Sequence, residues 1–389
     1  MSYLKWYKSE ETPPPLPSQR VHILDMPDLV MRKILDEIDL VSIMKLRKVC
    51  RAFRNYIDDT KPDSKLNGLE IYKESNSIFV SYWYFLSKPL RKKKSKEVTV
   101  SYENNKKGCE IRFGEGQLKH INGRKTFDVF CEDMQMVLGN QKTTIRYFNF
   151  HNCEDASNSE EEETHPPNLF QKSLELFCCR RRSENTKTYP SQYANSIPMY
   201  NTVFDFILEI LKSRNLPVQV SNLRISVNGQ DQLETLLKHV KSTELKYLVI
   251  SEAIRASHAD MKCELNLDVL KNFGNLNELT VYEFLISSSL ESLSHIPTIE
   301  GTFKKITATE ILARKETHLE LVSLFDSWVR CYTIKYDEFP DKSRLFELFG
   351  APIEHYSSWT KWKFNIPKTK KKLVVSLWAS SVDISMSYY

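Results

Sequence analysis

Near the start of the chain, apolar residues recur at three- and four-residue spacing. Val30, Met31, Ile34, Leu35 and Ile38 share one helical face. Pro27 suits the first turn of that helix, where an N–H is not needed, and Asp28 places a carboxylate at its positive dipole end. Asp39 is positioned to cap a second helix. Ile43, Leu46, Val49, Cys50, Phe53 and Ile57 then carry the pattern on. Three short helices in about thirty residues cannot bury so much apolar surface among themselves. Part of it should face another protein; the plainer alternative is a helical hairpin belonging to the core that follows.

Beyond residue 65 the pattern turns to short aromatic and β-branched runs, at 69–72 and 78–85, with a hairpin at 98–100 and 110–113 joined across a polar segment. A helix at 128–138 and a strand at 144–150 follow. The order helix-then-strand then returns. Helical spacing of Val203, Phe204, Ile207, Leu208 and Leu211 precedes a strand at 218–227. Leu233, Leu236, Leu237 and Val240 precede one at 245–250. Leu267, Val269, Leu270 and Phe273 precede one at 276–281, Leu290 and Leu293 one at 303–308, and a helix at 318–329 one at 332–336. Strand starts recur about every 25–30 residues, in or near the period of leucine-rich solenoids. The expected fold is α/β: a small three-helix unit followed by an irregular strand–helix, leucine-rich-repeat-like solenoid, with a non-repeating α/β or α+β domain as the alternative. Trp359, Trp362 and Phe364, then the run at 373–378, read as a closing hairpin that caps the last apolar face.

Composition narrows the function classes. The chain has 389 residues, 41% hydrophobic and 27% charged, enough for two or three domains of a soluble globular protein. Ten glycines argue against a glycine-punctuated β-barrel. The net charge of +5 comes from 55 basic and 50 acidic residues, a balance unlike that of a protein with a large phosphate footprint; nucleic acid is therefore not an expected partner. The basic runs at 91–96 and 368–372 read as solvated loops, although the first, near Tyr82, Trp83 and Tyr84, would also suit an RNA surface or a localisation signal. No apolar run is long enough for a membrane span, and the N-terminus lacks the apolar core of a signal peptide. Eight scattered cysteines without a CxxC fit a cytosolic or nuclear protein with free thiols. Residues 1–20 read as a disordered leader with a polyproline segment at 13–17. Residues 154–168 form an acidic, nearly apolar-free loop, and 180–196 a second polar stretch.

Chemistry is sparse. There is no P-loop, no GxGxxG and no HExxH. His151-Asn152-Cys153-Glu154-Asp155 gathers ligand types without a second cluster, which reads as a polar loop rather than a zinc site. No histidine stands in a recognisable nucleophile motif. No cofactor, metal or catalytic residue is expected.

The order of residue types in 26–53 carries a resemblance. Met26-Pro27, Ile34-Leu35, Ile38, Ile43, Leu46, Val49-Cys50 and Phe53 resemble the F-box, which reads Leu-Pro, Ile-Leu, Leu, Leu, Val-Cys and Trp at these spacings. Met26 and Phe53 depart from it with apolar groups of similar bulk. The segments at 210–214 and 243–248 of the second domain are similar to the FTH domain that follows the F-box in the nematode F-box-A family. The resemblance implies an F-box at 21–60 and an α/β substrate-binding region at 66–389, its FTH-like part at about 190–335. It implies a non-catalytic subunit of a Skp–cullin–F-box ubiquitin ligase, cytoplasmic or nuclear. Pro27, Ile34, Leu35, Ile38, Ile43, Leu46, Val49, Cys50 and Phe53 would dock on the Skp-type adaptor and, through it, on the cullin–RING ligase. The second domain would bind a protein substrate. The alternative is a non-degradative adaptor whose FTH-like domain assembles a regulatory complex, for example with an RNA-binding protein.

Overall fold

A computed structural model describes residues 23–74, 77–85, 95–114, 116, 118–152, 196–253, 263–324, 332–367 and 369–387. The leader at 1–20, the acidic loop at 154–168, the polar stretch at 180–195 and most of the basic run at 91–96 lie outside the described residues. The chain parts between Pro62 and Asp63 into two compact units.

The first unit is three ten-residue helices, α1 (Asp28–Glu37), α2 (Leu40–Val49) and α3 (Arg51–Thr60), behind a 3-10 turn at Ile23–Asp25. Helices this short are marginal alone and depend on packing. Met31, Leu35, Leu40, Ile43, Met44, Phe53 and Ile57 are its buried apolar residues. Each boundary has a physical cause. Pro27 is the N-cap of α1, one position before the first turn expected for it. Asp39 caps α2 as its type predicts, its carboxylate accepting the Ser42 N–H at 2.9 Å. Lys61 ends α3 in the left-handed region, its N–H returning to the Ile57 carbonyl at 3.0 Å, and Pro62 cannot continue a helix.

The second unit is built on one mixed sheet of sixteen strands among the described residues. β1 (Leu66–Glu74), β2 (Ser77–Phe85), β3 (Ser95–Asn105), β4 (Gly108–Phe113) and β5 (Leu118–Asn122) form an antiparallel meander. α4 (Thr126–Gly139) carries the chain back to the other edge of β1, where β6 (Ile145–Asn152) pairs parallel to it. A parallel run follows: β7 (Val220–Val227), β8 (Tyr247–Glu252), β10 (Glu278–Ile286), β11 (Thr298–Lys305) and β12 (Tyr332–Glu338). The two-residue strand β9 (Glu264–Leu265) sits beside β10. The connections are unequal: α5 (Ser196–Lys212), α6 (Gln230–Leu237), 3-10 turns at Asp268–Asn272 and Glu291–Leu293, and α7 (Ala308–Leu324). After α8 (Arg344–Phe349), β13 (Glu354–His355), β14 (Trp359–Asn365), β15 (Lys372–Trp378) and β16 (Ser381–Ser387) make a second antiparallel meander. Its last strand pairs with β12.

A succession of parallel strands is therefore present, but it is flanked by antiparallel meanders and its connections do not repeat one unit. Along it, Leu223, Ile225, Leu248, Ile250, Leu279 and Ile299 are buried, while alternate positions such as Arg224, Tyr247, Glu278 and Glu300 stay half-buried or exposed on the opposite face. Phe150 of β6 lies against Tyr200 and Phe204 of α5, with ring centroids 5.0 and 5.6 Å apart, which places that helix on the apolar face.

Several elements differ from the sequence expectation. β11 runs from Thr298 to Lys305, not over 303–308, and continues through Gly301. A Cβ on that glycine would lie 2.8 Å from Ile286 Cδ1, so glycine here permits close packing rather than breaking the strand. α7 begins at Ala308, ten residues before the expected start. Thr307 Oγ1 accepts from the Glu310 N–H and Glu310 Oε2 from the Thr307 N–H, a capping box legible as Thr-x-x-Glu. The end expected at 329 lies outside the described residues. β5, α8, β13 and β16 have no counterpart in the sequence expectation; β16 alternates Val382, Ile384 and Met386 with serines and an aspartate, a half-buried strand weak in overall hydropathy.

Candidate docking site

The site with the clearest partner chemistry is on the three-helix unit. At the start of α1, Met26, Pro27, Leu29 and Val30 are exposed, Leu29 to 69%. Polar ties hold this end in place. The Asp28 carboxylate accepts from Arg32 Nε at 2.7 Å and from the Tyr56 hydroxyl at 2.8 Å, linking α1 to α3. These bonds, Arg32 first and then Tyr56, hold the Asp28 carboxyl below the usual aspartate value.

The second exposed group is the corner between α2 and α3. Val49 is 66% exposed and Cys50 is exposed beside it. Cys50 also acts locally, because its Sγ accepts the Phe53 N–H at 3.5 Å and so caps α3. Arg47 grips Asp58 with two bonds, 2.7 and 3.0 Å, joining the two helices behind the corner.

The nine residues to which the sequence points fall into three classes. Leu35, Ile43 and Phe53 are buried. Ile34, Ile38 and Leu46 are half-buried, and Pro27, Val49 and Cys50 are exposed. Leu29, the most open large apolar side chain among the described residues of the unit, is not among the nine. The sequence does carry a signal for it: Leu29 is an apolar residue off the helical face made by Met31, Ile34, Leu35 and Ile38, so it has no place in the helix's own core.

A family model of the F-box domain matches residues 23–65, and one of the FTH domain matches residues 201–335. The chain carries an F-box followed by an FTH domain. No curated protein and no solved structure matches it. The F-box covers α1 to α3, and the FTH domain runs from within α5 to within β12, the parallel part of the sheet. The F-box supports a role as an adaptor in Skp–cullin–F-box ligases, binding a Skp-type protein, and the two domains together imply protein–protein interaction in the ubiquitin pathway.

His151, the first residue of the ligand-type cluster, lies 3.3 Å from Glu70 and stacks near Tyr72. Burial pushes the Glu70 carboxyl up, but hydrogen bonds from His151 and Asn149 and the charges of His151 and Arg224 outweigh it and leave the group below its ordinary value. Residues 153–155 lie outside the described residues. Among the described residues no cluster of histidine, cysteine and carboxylates could hold a metal ion, and no helix is long and apolar enough to cross a membrane.

Proposed function

We propose that this chain is the substrate-recognition subunit of a Skp–cullin–F-box ubiquitin ligase. The carrying observation is that Leu29 and Val49 stand two-thirds exposed, with Met26, Val30 and Cys50 also open beside them, on a unit that buries Met31, Leu35, Leu40, Ile43, Met44, Phe53 and Ile57. Exposed side chains of this size are what a helical partner would cover by interdigitation. On this reading Leu29, Pro27, Val49 and Cys50 touch the Skp-type adaptor, Ile34, Ile38 and Leu46 border the contact, and Leu35, Ile43 and Phe53 hold the helices that present it. The second unit holds a protein substrate, in the cytoplasm or nucleus, and the gain is proximity: a substrate lysine is kept at high effective concentration beside the ubiquitin-charged enzyme.

The test is reconstitution. The full chain is mixed with a purified Skp-type adaptor and a cullin–RING pair, and co-elution on size exclusion is followed by ubiquitylation of proteins captured by the second unit. Co-elution with F-box-dependent ubiquitylation supports the reading. Co-elution without any ubiquitylation favours the non-degradative adaptor, and no co-elution of a folded chain overturns the ligase-subunit reading.

A further inference from the structure

The charge of the whole chain hides a local one. Residues 350–389 contain six lysines and two carboxylates, so this tenth of the chain holds four of the five net positive charges. Strand register gathers several of these lysines on one face. Trp359 pairs with Trp378, and Lys361, Lys363 and Lys372 follow at two-residue steps on the same side of β14 and β15. The opposite side is packed: Trp362 and Phe364 meet Phe349 of α8 with ring centroids 5.4 and 5.3 Å apart.

On the open face three aromatic rings lie in a row. Tyr356 and Trp359 are 4.9 Å apart and tilted by 32°, Trp359 and Trp378 5.7 Å apart and tilted by 30°. Tyr356 is 57% and Trp378 40% exposed. The Trp378 indole N–H donates to Asp383 Oδ2 at 2.7 Å, which fixes the ring, while the other oxygen of that carboxylate is buried. Glu354 lies 3.7 Å from Lys361. Lys363 and Lys372 add positive charge to the same side.

Flat rings held open beside lysines are the chemistry that receives unpaired bases and their phosphates. We propose that this face binds a single-stranded nucleic acid, with bases stacked on Trp378 and Tyr356 and phosphates along Lys361, Lys363 and Lys372. A duplex keeps its base faces stacked internally and can use only the lysines.

The test is fluorescence anisotropy with the full chain and a labelled twelve-nucleotide RNA of mixed sequence, alone or annealed to its complement. The single strand should bind at least about tenfold more tightly than the duplex. Its log affinity should fall with log salt at a slope of about −2, as three phosphates at about −0.7 each require. Trp378→Ala should weaken binding about tenfold with the slope unchanged, and Lys361→Gln/Lys363→Gln/Lys372→Gln should flatten the slope. Tyr356→Ala, outside the strands, gives the same readout should the tryptophan variant fail to fold by circular dichroism. Equal or tighter duplex binding, full affinity in a folded aromatic variant, or no binding by folded wild type at about 50 mM salt would overturn the proposal.

Discussion

Leu29→Ala/Val49→Ala separates docking from folding. The two side chains are 69% and 66% exposed, so the free unit loses little when they are shortened, and surface changes of this kind usually stay within about 0.5 kcal/mol. In a complex that covers them, the loss is larger. Leu→Ala removes three carbons and Val→Ala two. At about 0.8 kcal/mol per buried carbon, scaled by the two-thirds of each side chain that remains to be covered, the costs are about 1.5 and about 1 kcal/mol. Together they weaken adaptor binding roughly a hundredfold. Phe53→Ala is the control of opposite kind: at 7% exposure it empties the packed interior, costs about 3–5 kcal/mol, and should melt the three-helix unit before any binding is measured. Isothermal titration of a purified Skp-type adaptor reads the affinity, and far-ultraviolet circular dichroism melts read the fold. A folded double variant that binds with wild-type affinity would refute the assignment of these two residues to the interface.

Three further outcomes follow from the second unit. Burial and the neighbouring Arg314 push the His318 imidazole down to about 4, against about 6.5 when unfolded. The folded state keeps it neutral, so its stability is whole above about pH 6.5 and falls by up to about 3 kcal/mol as pH drops to about 4; urea melts at about pH 7.5 and about pH 4.5 should show this difference shrinking in His318→Gln. Tyr102→Phe removes the hydroxyl that donates to the buried Asp133 carboxyl at 3.0 Å and should cost about 1.5–3 kcal/mol in the same melts; no change would mean the bond is dispensable. Gln141→Ala strands the buried Leu66 N–H, which the amide oxygen accepts at 3.0 Å, and removes the donor to the exposed Thr143 carbonyl at 2.8 Å. The expected loss is about 1–3 kcal/mol, with faster amide exchange at the start of β1.

Local patterns are readable where periodicity and chain neighbours decide the conformation. The three helices, the Asp39 cap and the β3–β4 hairpin all follow from residues a few positions apart. Elements escape where the signal is diluted or points elsewhere. Gly301 looks like a break until Ile286 is seen against it, and the serines of β16 mask an alternating strand. Thr307-x-x-Glu310 is a capping signature, hidden because the helix it starts has weak amphipathic contrast.

By itself, the sequence determined that an amphipathic three-helix unit precedes an α/β region, and that its apolar residues exceed what it can bury. Both are properties of spacing along the chain. Tertiary structure alone decided which of those residues lie inside, Leu35, Ile43 and Phe53, and which stand open, Leu29 and Val49, because burial depends on how helices are set against one another. It also decided that β16 inserts between β12 and β15 and that Trp359, Trp378 and three lysines share one face. Strand order and register join residues distant in sequence, and no local periodicity encodes that pairing.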